Sequence, residues 1–433
     1  MIRAWAFLSL GVLLAACGSA PGVQQSSVND CVRPTPAGAL SVLSAADLLG
    51  TADWSAPRVA GQLLVLGEES SGGARALAAS SALSDLRTEP VGETVRVFTP
   101  AGQSDEAFAR RLAARGLRVQ PNYRYEALAA PVPNDPGYPG GVVSNLAGGA
   151  EQSYLTRIGA KPAWDLVFDR LGEVRGALVA VLDTGVTATH EDLSANGATL
   201  LRAGRDFCAT TGVGANGQPF CQGEDADPSE ITGPYAGHGT SSAGIVGAAG
   251  NNGRGITGIT WRPQNVLPVK VFGMTDAGRE FADTASIAAG LNWAVSQNAR
   301  VVNMSLGFVG CNPDPALAQA IRNAAGKDVV MVAAAGNNPA EGIRYPASDP
   351  LVIAVGALGD GDALASYSAR PTAERDLDLV APGGVGTGGS RDILSLGAGP
   401  REYRVWAGTS EAAPQVAGVA ALVRAFAPTL KAD

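Results

Sequence analysis

The segment Gly176-Ala-Leu-Val-Ala-Val-Leu-Asp-Thr-Gly185 is an apolar run that ends at an acidic residue and a turn. A short apolar run bounded by glycines predicts a strand that is buried on both faces. Similar runs follow at 265–272, 300–304, 329–334 and 351–355. Because helical stretches such as 285–297 lie between these runs, the pattern predicts an α/β fold, in which helices cover both faces of a parallel sheet.

Three polar residues lie just past predicted strand ends, at Asp183, Ser305 and Asn337. In parallel sheets, ligand chemistry gathers at the carboxyl ends of the strands, so these residues are candidates for a functional site. Two glycine-flanked segments, Gly237-His-Gly-Thr240 and Gly408-Thr-Ser410, add a histidine and a serine. The chain order Asp, His, Ser is one of three unrelated orders known for the same catalytic geometry.

The chemistry of a nucleophilic serine explains why these residue types occur together. Such a serine needs a base, an acid that orients the base, and donors for the developing oxyanion. Asp183 could accept the Nδ1–H of His238, and Ser410 opens an Ala-rich segment that predicts a buried helix. A helix N-terminus favours negative charge, so the Ser410 N–H is a natural oxyanion donor. The second histidine, His190, lies on a predicted turn and is assigned no catalytic role.

These motifs, with Ala333-Ala-Ala-Gly-Asn337 between the histidine and the serine, resemble those of the subtilisin-like serine proteases (subtilases) over residues 131–433. The resemblance implies a doubly wound, mostly parallel α/β sheet with helices on both faces. It also implies a serine endopeptidase that cleaves polypeptides through the triad Asp183, His238 and Ser410 and an acyl-enzyme intermediate. Asn337 matches the family's side-chain oxyanion donor.

The same resemblance identifies substrate-binding residues. Extended peptides add as strands to exposed backbone edges, and Ser305-Leu306-Gly307 resembles such an edge. Ala334 and Gly336 would form part of the pocket for P1, the residue on the amino side of the cleaved bond. Because small residues there leave room for a large side chain, we expect aromatic or large apolar P1 residues.

Residues 58–130 predict a separate α+β unit, with strands at 61–66 and 93–98 and helices at 74–86 and 104–115. The Pro- and Gly-rich segment that follows it, from Pro131, resembles the start of the mature domain in the family. The α+β unit therefore resembles a ferredoxin-like propeptide, which would inhibit the enzyme and be cut off by self-processing near Leu128–Ala130. A permanent accessory domain is the alternative.

Residues 1–16 predict a signal peptide, because one arginine precedes an apolar run too short to span a membrane. Leu14-Ala-Ala-Cys17 resembles a bacterial lipoprotein signal, which implies lipidation of Cys17; an ordinary signal peptide is the alternative. Residues 17–57, rich in Ser, Ala, Gly and Pro, predict an irregular tether. We therefore expect secretion across the bacterial membrane, as an envelope lipoprotein held only by its lipid anchor or released outside the cell.

Four cysteines remain after Cys17, and an even number outside the cytoplasm predicts disulfides. Of the three pairings, we favour Cys208–Cys221, which leaves Cys31–Cys311; free buried thiols are the alternative. The net charge of −8 and the lack of a Lys/Arg-rich block do not support a nucleic-acid partner. We expect a monomer whose partners are polypeptide substrates and its own propeptide.

Calcium is often structural in the family. Asp192 lies nine residues after Asp183, as the family's calcium-binding aspartate does, and residues 250–255 resemble its calcium loop, with Asn252 as a ligand. We therefore predict one structural calcium ion. Turn formation alone is the alternative explanation for these residues, because Asn and Gly are common in turns.

Two features depart from the family. Glu411 follows the nucleophile where a methionine is common, and a carboxylate there is expected to lower turnover and shift the pH optimum upward. Relatives usually continue past the Ser410 helix with another helix, so we expect exposed apolar surface. The alternatives to a protease are a catalytically silent surface lipoprotein and a cytoplasmic esterase, although Ser410 lacks the Gly-x-Ser-x-Gly surroundings of the latter.

Overall fold

The computed structural model describes residues 44–66, 77–79, 81–124, 130–140, 149–208, 223–274, 280–308 and 314–432. These residues fall into two compact units, a smaller one over residues 44–124 and a larger one over residues 130–432. Each unit has its own hydrophobic core.

The described residues of the smaller unit form an antiparallel sheet and helices that pack on it. Its elements are α1 (Ala45–Thr51), β1 (Arg58–Leu66), β2 (Thr88–Val91), β3 (Thr94–Phe98), α2 (Asp105–Ala114) and β4 (Arg118–Tyr123). The strand order is β2-β3-β1-β4. Alternate side chains of the strands, such as Leu63 and Val65, pack with Phe108 and Leu112 of α2 to form the core. This arrangement is the predicted α+β architecture.

The helices of the smaller unit agree with the sequence-based predictions only in part. The predicted helix at 104–115 is α2, and the Ser104 side chain caps it by accepting a hydrogen bond from the Ala107 N–H at 3.2 Å. The predicted helix at 74–86 is helical at residues 77–78 but does not continue to residue 86, because residues 81–86 form turns and a bend. The prediction of an irregular tether to residue 57 is also wrong at 45–51, where α1 forms and Leu49 packs on the core.

The larger unit contains thirteen strands in the described part of the chain. They are β5 (Val179–Asp183), β6 (Ser194–Ala195), β7 (Ala198–Thr199), β8 (Arg205–Asp206), β9 (Val266–Lys270), β10 (Phe272–Met274), β11 (Glu280–Ala282), β12 (Val301–Met304), β13 (Val330–Ala334), β14 (Ile353–Leu358), β15 (Leu379–Pro382), β16 (Ile393–Leu396) and β17 (Tyr403–Trp406). Seven of them form one sheet in the order β15-β14-β13-β12-β5-β9-β8, and every neighbouring pair is parallel. The others form the hairpins β6–β7, β10–β11 and β16–β17.

The helices of the larger unit are α3 (Ser153–Arg157), α4 (Ala160–Leu171), α5 (His238–Gly247), α6 (Thr284–Ser296), α7 (Pro315–Ala325) and α8 (Thr409–Phe426). Alternate residues of β5 enter two different cores. Ala180 and Leu182 pack with apolar residues of α6 and α7, whereas Val179 and Val181 pack with those of α5 and α8. Burial of one such Val or Leu side chain stabilises the fold by roughly 1.5–3 kcal/mol. The predicted doubly wound sheet with helices on both faces is confirmed.

Several predictions lie outside the described residues. They are the signal peptide, Cys17, most of the tether, Cys31, Cys221 and Cys311. Cys208 is described and is disulfide-bonded. None of the helices in the described ranges is long and apolar enough to cross a membrane.

Near the end of the chain, Leu379 and Val380 of β15 and Leu430 are each 40–43% exposed. Arg424 of α8 is buried and donates to Asp328 Oδ2 at 2.6 Å. Ala432 N donates to the same carboxylate, at Oδ1, so residues that follow α8 are tied back to the domain.

Candidate active site

Asp183 and His238 meet at the carboxyl end of β5, an interior strand of the sheet. Asp183 is the last residue of β5 and His238 the first of α5, and the His238 Nδ1 lies 2.6 Å from Asp183 Oδ1. Glycine at position 239 permits this approach, because a Cβ there would collide with the carbonyl oxygen of Gly185. The carboxylate is 1% exposed and also accepts hydrogen bonds from Thr184 N and Ser242 Oγ. These contacts orient the carboxylate toward the imidazole.

The environment of His238 favours the charged imidazolium. Burial lowers the pKa of His238, but the negative charges of Asp183, Glu411 and Glu230 outweigh burial and raise it to about 9. The Trp406 ring lies edge-on to the imidazole, with 6.3 Å between ring centroids. Because a general base must be neutral to accept a proton, the raised pKa predicts activity that increases with pH up to about 9.

Ser410 is the second residue of α8, and the hydroxyl groups of two serines lie between its backbone and Asp183. Ser305 Oγ donates to the Ser410 carbonyl oxygen at 2.9 Å and lies 3.5 Å from Ser242 Oγ, which donates to Asp183. Within the described part of the chain, no hydrogen bond joins Ser410 Oγ to His238. Such catalytic hydrogen bonds often tighten only when substrate binds.

Asn337 follows β13 and is oriented by the residue before the serine. Its Oδ1 accepts hydrogen bonds from Thr409 N at 2.8 Å and Thr409 Oγ1 at 2.9 Å. With the oxygen held in this way, the Asn337 Nδ2 faces Gly408, where an added Cβ would lie 3.1 Å from it. The Nδ2 donor therefore lies close to the residue that precedes α8, two positions before Ser410.

The predicted substrate-binding segments lie side by side. Gly307 follows β12, Gly336 follows β13, and residues 343–345 run between them: Arg344 N donates to Ala335 O, and Phe308 N donates to Tyr345 O at 2.7 Å. Ser305 and Leu306, which precede Gly307, are buried. Ala334 is the last residue of β13. The structure thus brings together all five residues that the sequence analysis assigned to substrate binding.

Glu230 is part of the site, although the sequence analysis did not identify it. Its Oε1 accepts a hydrogen bond from Thr184 Oγ1 at 2.5 Å, and its Oε2 accepts from Thr240 N and Oγ1 at 3.0 and 2.7 Å. One partly buried carboxylate therefore joins the residue after Asp183 to the helix that begins with His238. Burial raises the pKa of Glu230, although these hydrogen bonds oppose the shift. No local pattern around Glu230 indicates this role.

Glu411 is buried next to Ser410, with 3% of its surface exposed. A Cβ on Gly408 would lie 3.0 Å from Glu411 Oε2, so the carboxylate borders the same space as the Asn337 amide. Burial raises the pKa of Glu411 to about 7, although the nearby His238 lowers it in part. The expected carboxylate beside the oxyanion region is therefore present.

The predicted calcium residues lie in one hydrogen-bonded cluster. Asp192 Oδ1 accepts a hydrogen bond from Asn252 Nδ2 at 3.0 Å, and its Oδ2 accepts from Ile256 N and from Tyr403 Oη. Asp135, which the sequence analysis did not identify, binds the same loop through Asn252 N at 3.0 Å. Both carboxylates are almost fully buried. Burial raises the pKa of Asp192 to about 6, and the charge of Asp135 contributes to the shift.

Asp135 and Asp192 are buried like charges, and neither has an ion pair among the described residues, although the oxygens of both carboxylates already accept hydrogen bonds. No group of three or more His, Cys, Asp or Glu side chains that could hold a metal occurs in the described ranges.

His190 is a packed structural residue. Its ring is fully buried, lies edge-on to Tyr403 and has Nε2 2.9 Å from the Glu402 carbonyl oxygen. Burial lowers the pKa of His190. These contacts agree with the absence of a catalytic assignment.

Comparisons with known proteins agree with this geometry. The family model of the subtilase family of peptidases matches residues 174–433, and the chain therefore belongs to the subtilase family. M-protease of Shouchella clausii is 37% identical over 254 residues, which cover 59% of this chain and 55% of that protein. The thermophilic serine proteinase of Bacillus sp. strain AK1 is 35% identical over 305 residues, which cover 70% of this chain and 62% of that protein.

A further relative is Subtilisin Savinase of Lederbergia lenta, 37% identical over 59% of this chain and 78% of that protein. Among solved structures, a protease from Pseudoalteromonas arctica aligns with a TM-score of 0.54 and 29% identity, over 70% of this chain and 90% of that one. The chain spans between about half and two thirds of the length of M-protease and the strain AK1 proteinase.

Proposed function

We propose that the protein is a serine endopeptidase that hydrolyses peptide bonds through Asp183, His238 and Ser410. The contact of 2.6 Å between His238 Nδ1 and Asp183 Oδ1 carries the proposal, because it sets the imidazole as a base at the start of α5. Family membership and the proteases among its relatives support the same activity. A silent binding protein would have no need of this orienting contact.

In the proposed mechanism, Ser410 Oγ attacks the carbonyl carbon of the scissile peptide bond while His238 Nε2 takes the hydroxyl proton. Asp183 holds the Nδ1–H and stabilises the imidazolium. The Asn337 amide and the Ser410 N–H donate to the oxyanion. His238 then protonates the amine that leaves, and an acyl-enzyme remains. A water molecule, deprotonated by His238, hydrolyses the ester and regenerates Ser410.

Maturation is a second part of the proposal. Residues 1–16 would direct secretion, lipidation of Cys17 would anchor the protein until its release, and residues 58–130 would act as a self-processed inhibitor. The described residues 81–124 and 130–140 belong to different compact units, which supports a cut between them. Cys208–Cys221 and Cys31–Cys311 are the proposed disulfides, and the protein is proposed to act as a monomer.

A structural calcium ion is a third part of the proposal. Asp135, Asp192 and the Asn252 amide oxygen would hold it, together with backbone carbonyl groups of the loop. When bound, the ion would neutralise two buried carboxylates and crosslink the loop at 250–256 to the domain. None of the steps of peptide hydrolysis involves it.

Self-processing tests the main proposal. We would express the full chain and its Ser410→Ala variant, and follow the mass of each product and its labelling by a fluorophosphonate probe. We expect loss of the segment before about residue 130 and labelling at Ser410 in the wild type only. A folded wild-type protein that is neither cut nor labelled would support the silent binding protein instead.

A further inference from the structure

The proposed P1 pocket contains a charged side chain that the sequence analysis did not consider. Arg344 lies between the two glycines that border the pocket. A Cβ built on Gly307 would lie 3.2 Å from Arg344 Cβ and 3.3 Å from its Cδ. A Cβ built on Gly336 would lie 3.2 Å from Arg344 Cγ and from its Cδ. The arginine stem therefore occupies the space that the absent side chains of both glycines leave.

The backbone holds Arg344 in this position. Arg344 N donates to Ala335 O at 2.9 Å, one residue before Gly336, and the next residue, Tyr345, pairs with Phe308, one residue after Gly307. Tyr345 is 4% exposed, so this segment is fixed by burial as well as by hydrogen bonds. These backbone contacts place the Arg344 side chain across the segments that contain Gly307 and Gly336.

The Arg344 side chain is 25% exposed and has a single ion-pair partner within the described residues. The Arg344 Nε donates to Glu341 Oε2 at 2.7 Å, and Nη2 contacts the same oxygen. Glu341 is more exposed, at 36%, and its other oxygen accepts from Asn338. A guanidinium has five N–H donors, so Arg344 retains donors for a second carboxylate. A partly exposed pair of this kind is weak and can open.

We infer that Arg344 selects substrates with an acidic P1 residue. A large apolar side chain in this pocket would compete with the arginine stem and strip water from the guanidinium without replacing its hydrogen bonds. A P1 carboxylate would instead form charge-assisted hydrogen bonds with the planar guanidinium. This inference rests on the proposed endopeptidase function, and it replaces the expectation of aromatic or large apolar P1 residues.

Peptide substrates that differ only in the P1 residue test the inference. We would compare kcat/KM, per fluorophosphonate-titrated active site, for peptides that differ only in P1 as Glu, Gln, Leu or Phe. For the wild type we expect Glu to exceed Gln on the order of 10- to 100-fold, the range of hydrogen bonds to charged groups. Arg344→Leu should abolish this ratio and favour Leu, whereas Arg344→Lys should retain part of it.

Glu341→Gln separates selection from mere structural support. It removes the carboxylate that competes for the guanidinium, so the Glu-to-Gln ratio should rise above the wild-type value if Arg344 binds the substrate. A wild-type enzyme that cleaves Leu or Phe peptides faster than Glu peptides, or Glu and Gln peptides alike, would overturn the inference and leave the protease function intact. Lack of labelling at Ser410 would overturn both.

Discussion

Asp183 Oδ1 lies 2.6 Å from His238 Nδ1, while Ser242 Oγ donates to the other carboxylate oxygen, Oδ2. The aspartate therefore accepts from the imidazole and is fixed by a second residue of the same helix, α5. An amide at position 183 could present an N–H to Nδ1 and hold the wrong tautomer of the base.

We predict that Asp183→Asn lowers kcat about 10⁴-fold, the size of the effect of the corresponding change in a trypsin triad. The measurement is kcat for peptide hydrolysis, with circular dichroism to establish that the variant folds. Ser242→Ala is the matched control, since it removes one hydrogen bond to the carboxylate but leaves the contact between Asp183 and His238 in place, and it should cost far less. Equal losses in the two variants would contradict the orienting role of Asp183.

Glu230 is predicted to position the two halves of this pair. Glu230→Gln retains the size of the side chain, but its NH₂ would face either Thr184 Oγ1 or the Thr240 donors. We expect a loss of about 1–3 kcal/mol in the free energy of unfolding, the usual cost of an unsatisfied partner. The half-maximal pH of kcat/KM should also fall, because the charge of Glu230 helps to raise the pKa of His238.

The control for Glu230 is Asp227→Asn, a change at an exposed carboxylate on the same loop. Its urea unfolding curve and its pH profile should match those of the wild type. If Glu230→Gln altered stability but left the pH profile unchanged, Glu230 would have a structural role alone.

Glu411 is predicted to shift the pH dependence of activity. Its negative charge stabilises the imidazolium and contributes to the pKa of about 9 at His238, so an uncharged residue should lower that pKa. We expect Glu411→Gln and Glu411→Met to reach half-maximal kcat/KM at a lower pH than the wild type. Turnover at pH 7 should increase, because more His238 is then neutral and no carboxylate opposes the oxyanion.

The measurement is a pH–rate profile of each variant, corrected for active-site content. Agreement between the glutamine and methionine variants would assign the effect to charge rather than to shape. Identical profiles for the wild type and both variants would contradict an effect of the Glu411 charge on His238.

Chelation tests the calcium proposal. We predict that EDTA lowers the melting temperature of the wild type, since a ligand at 100 times its Kd stabilises the folded state by about 2.7 kcal/mol. Asp192→Asn should reduce the response to EDTA, and so should Asp135→Asn. Titration by calorimetry with Ca²⁺ alone gives a direct readout. A wild-type melting temperature that EDTA does not change would exclude a structural calcium ion.

Elements with a strong local pattern were predictable. The apolar run from Gly176 became β5, and Ser104 capped α2, because continuous burial and a side-chain cap are properties of neighbouring residues. The predicted helix did not continue through residue 86, although Leu83 and Leu86 pack in the core of the smaller unit, because tertiary packing can override helical propensity. The small helix α1 was missed in a segment whose composition resembles that of a linker.

The sequence by itself determined which residues form the candidate triad. Asp183, His238 and Ser410 each stand among small residues that allow close backbone approach, and that local requirement leaves a readable motif. Only the tertiary structure decided what surrounds them. Glu230 meets Thr184 across 46 residues of chain, and Arg344 reaches Gly307 only because the strands of one sheet bring their carboxyl ends together. Contacts of this kind depend on chain topology, so they cannot be predicted from the residues adjacent in sequence.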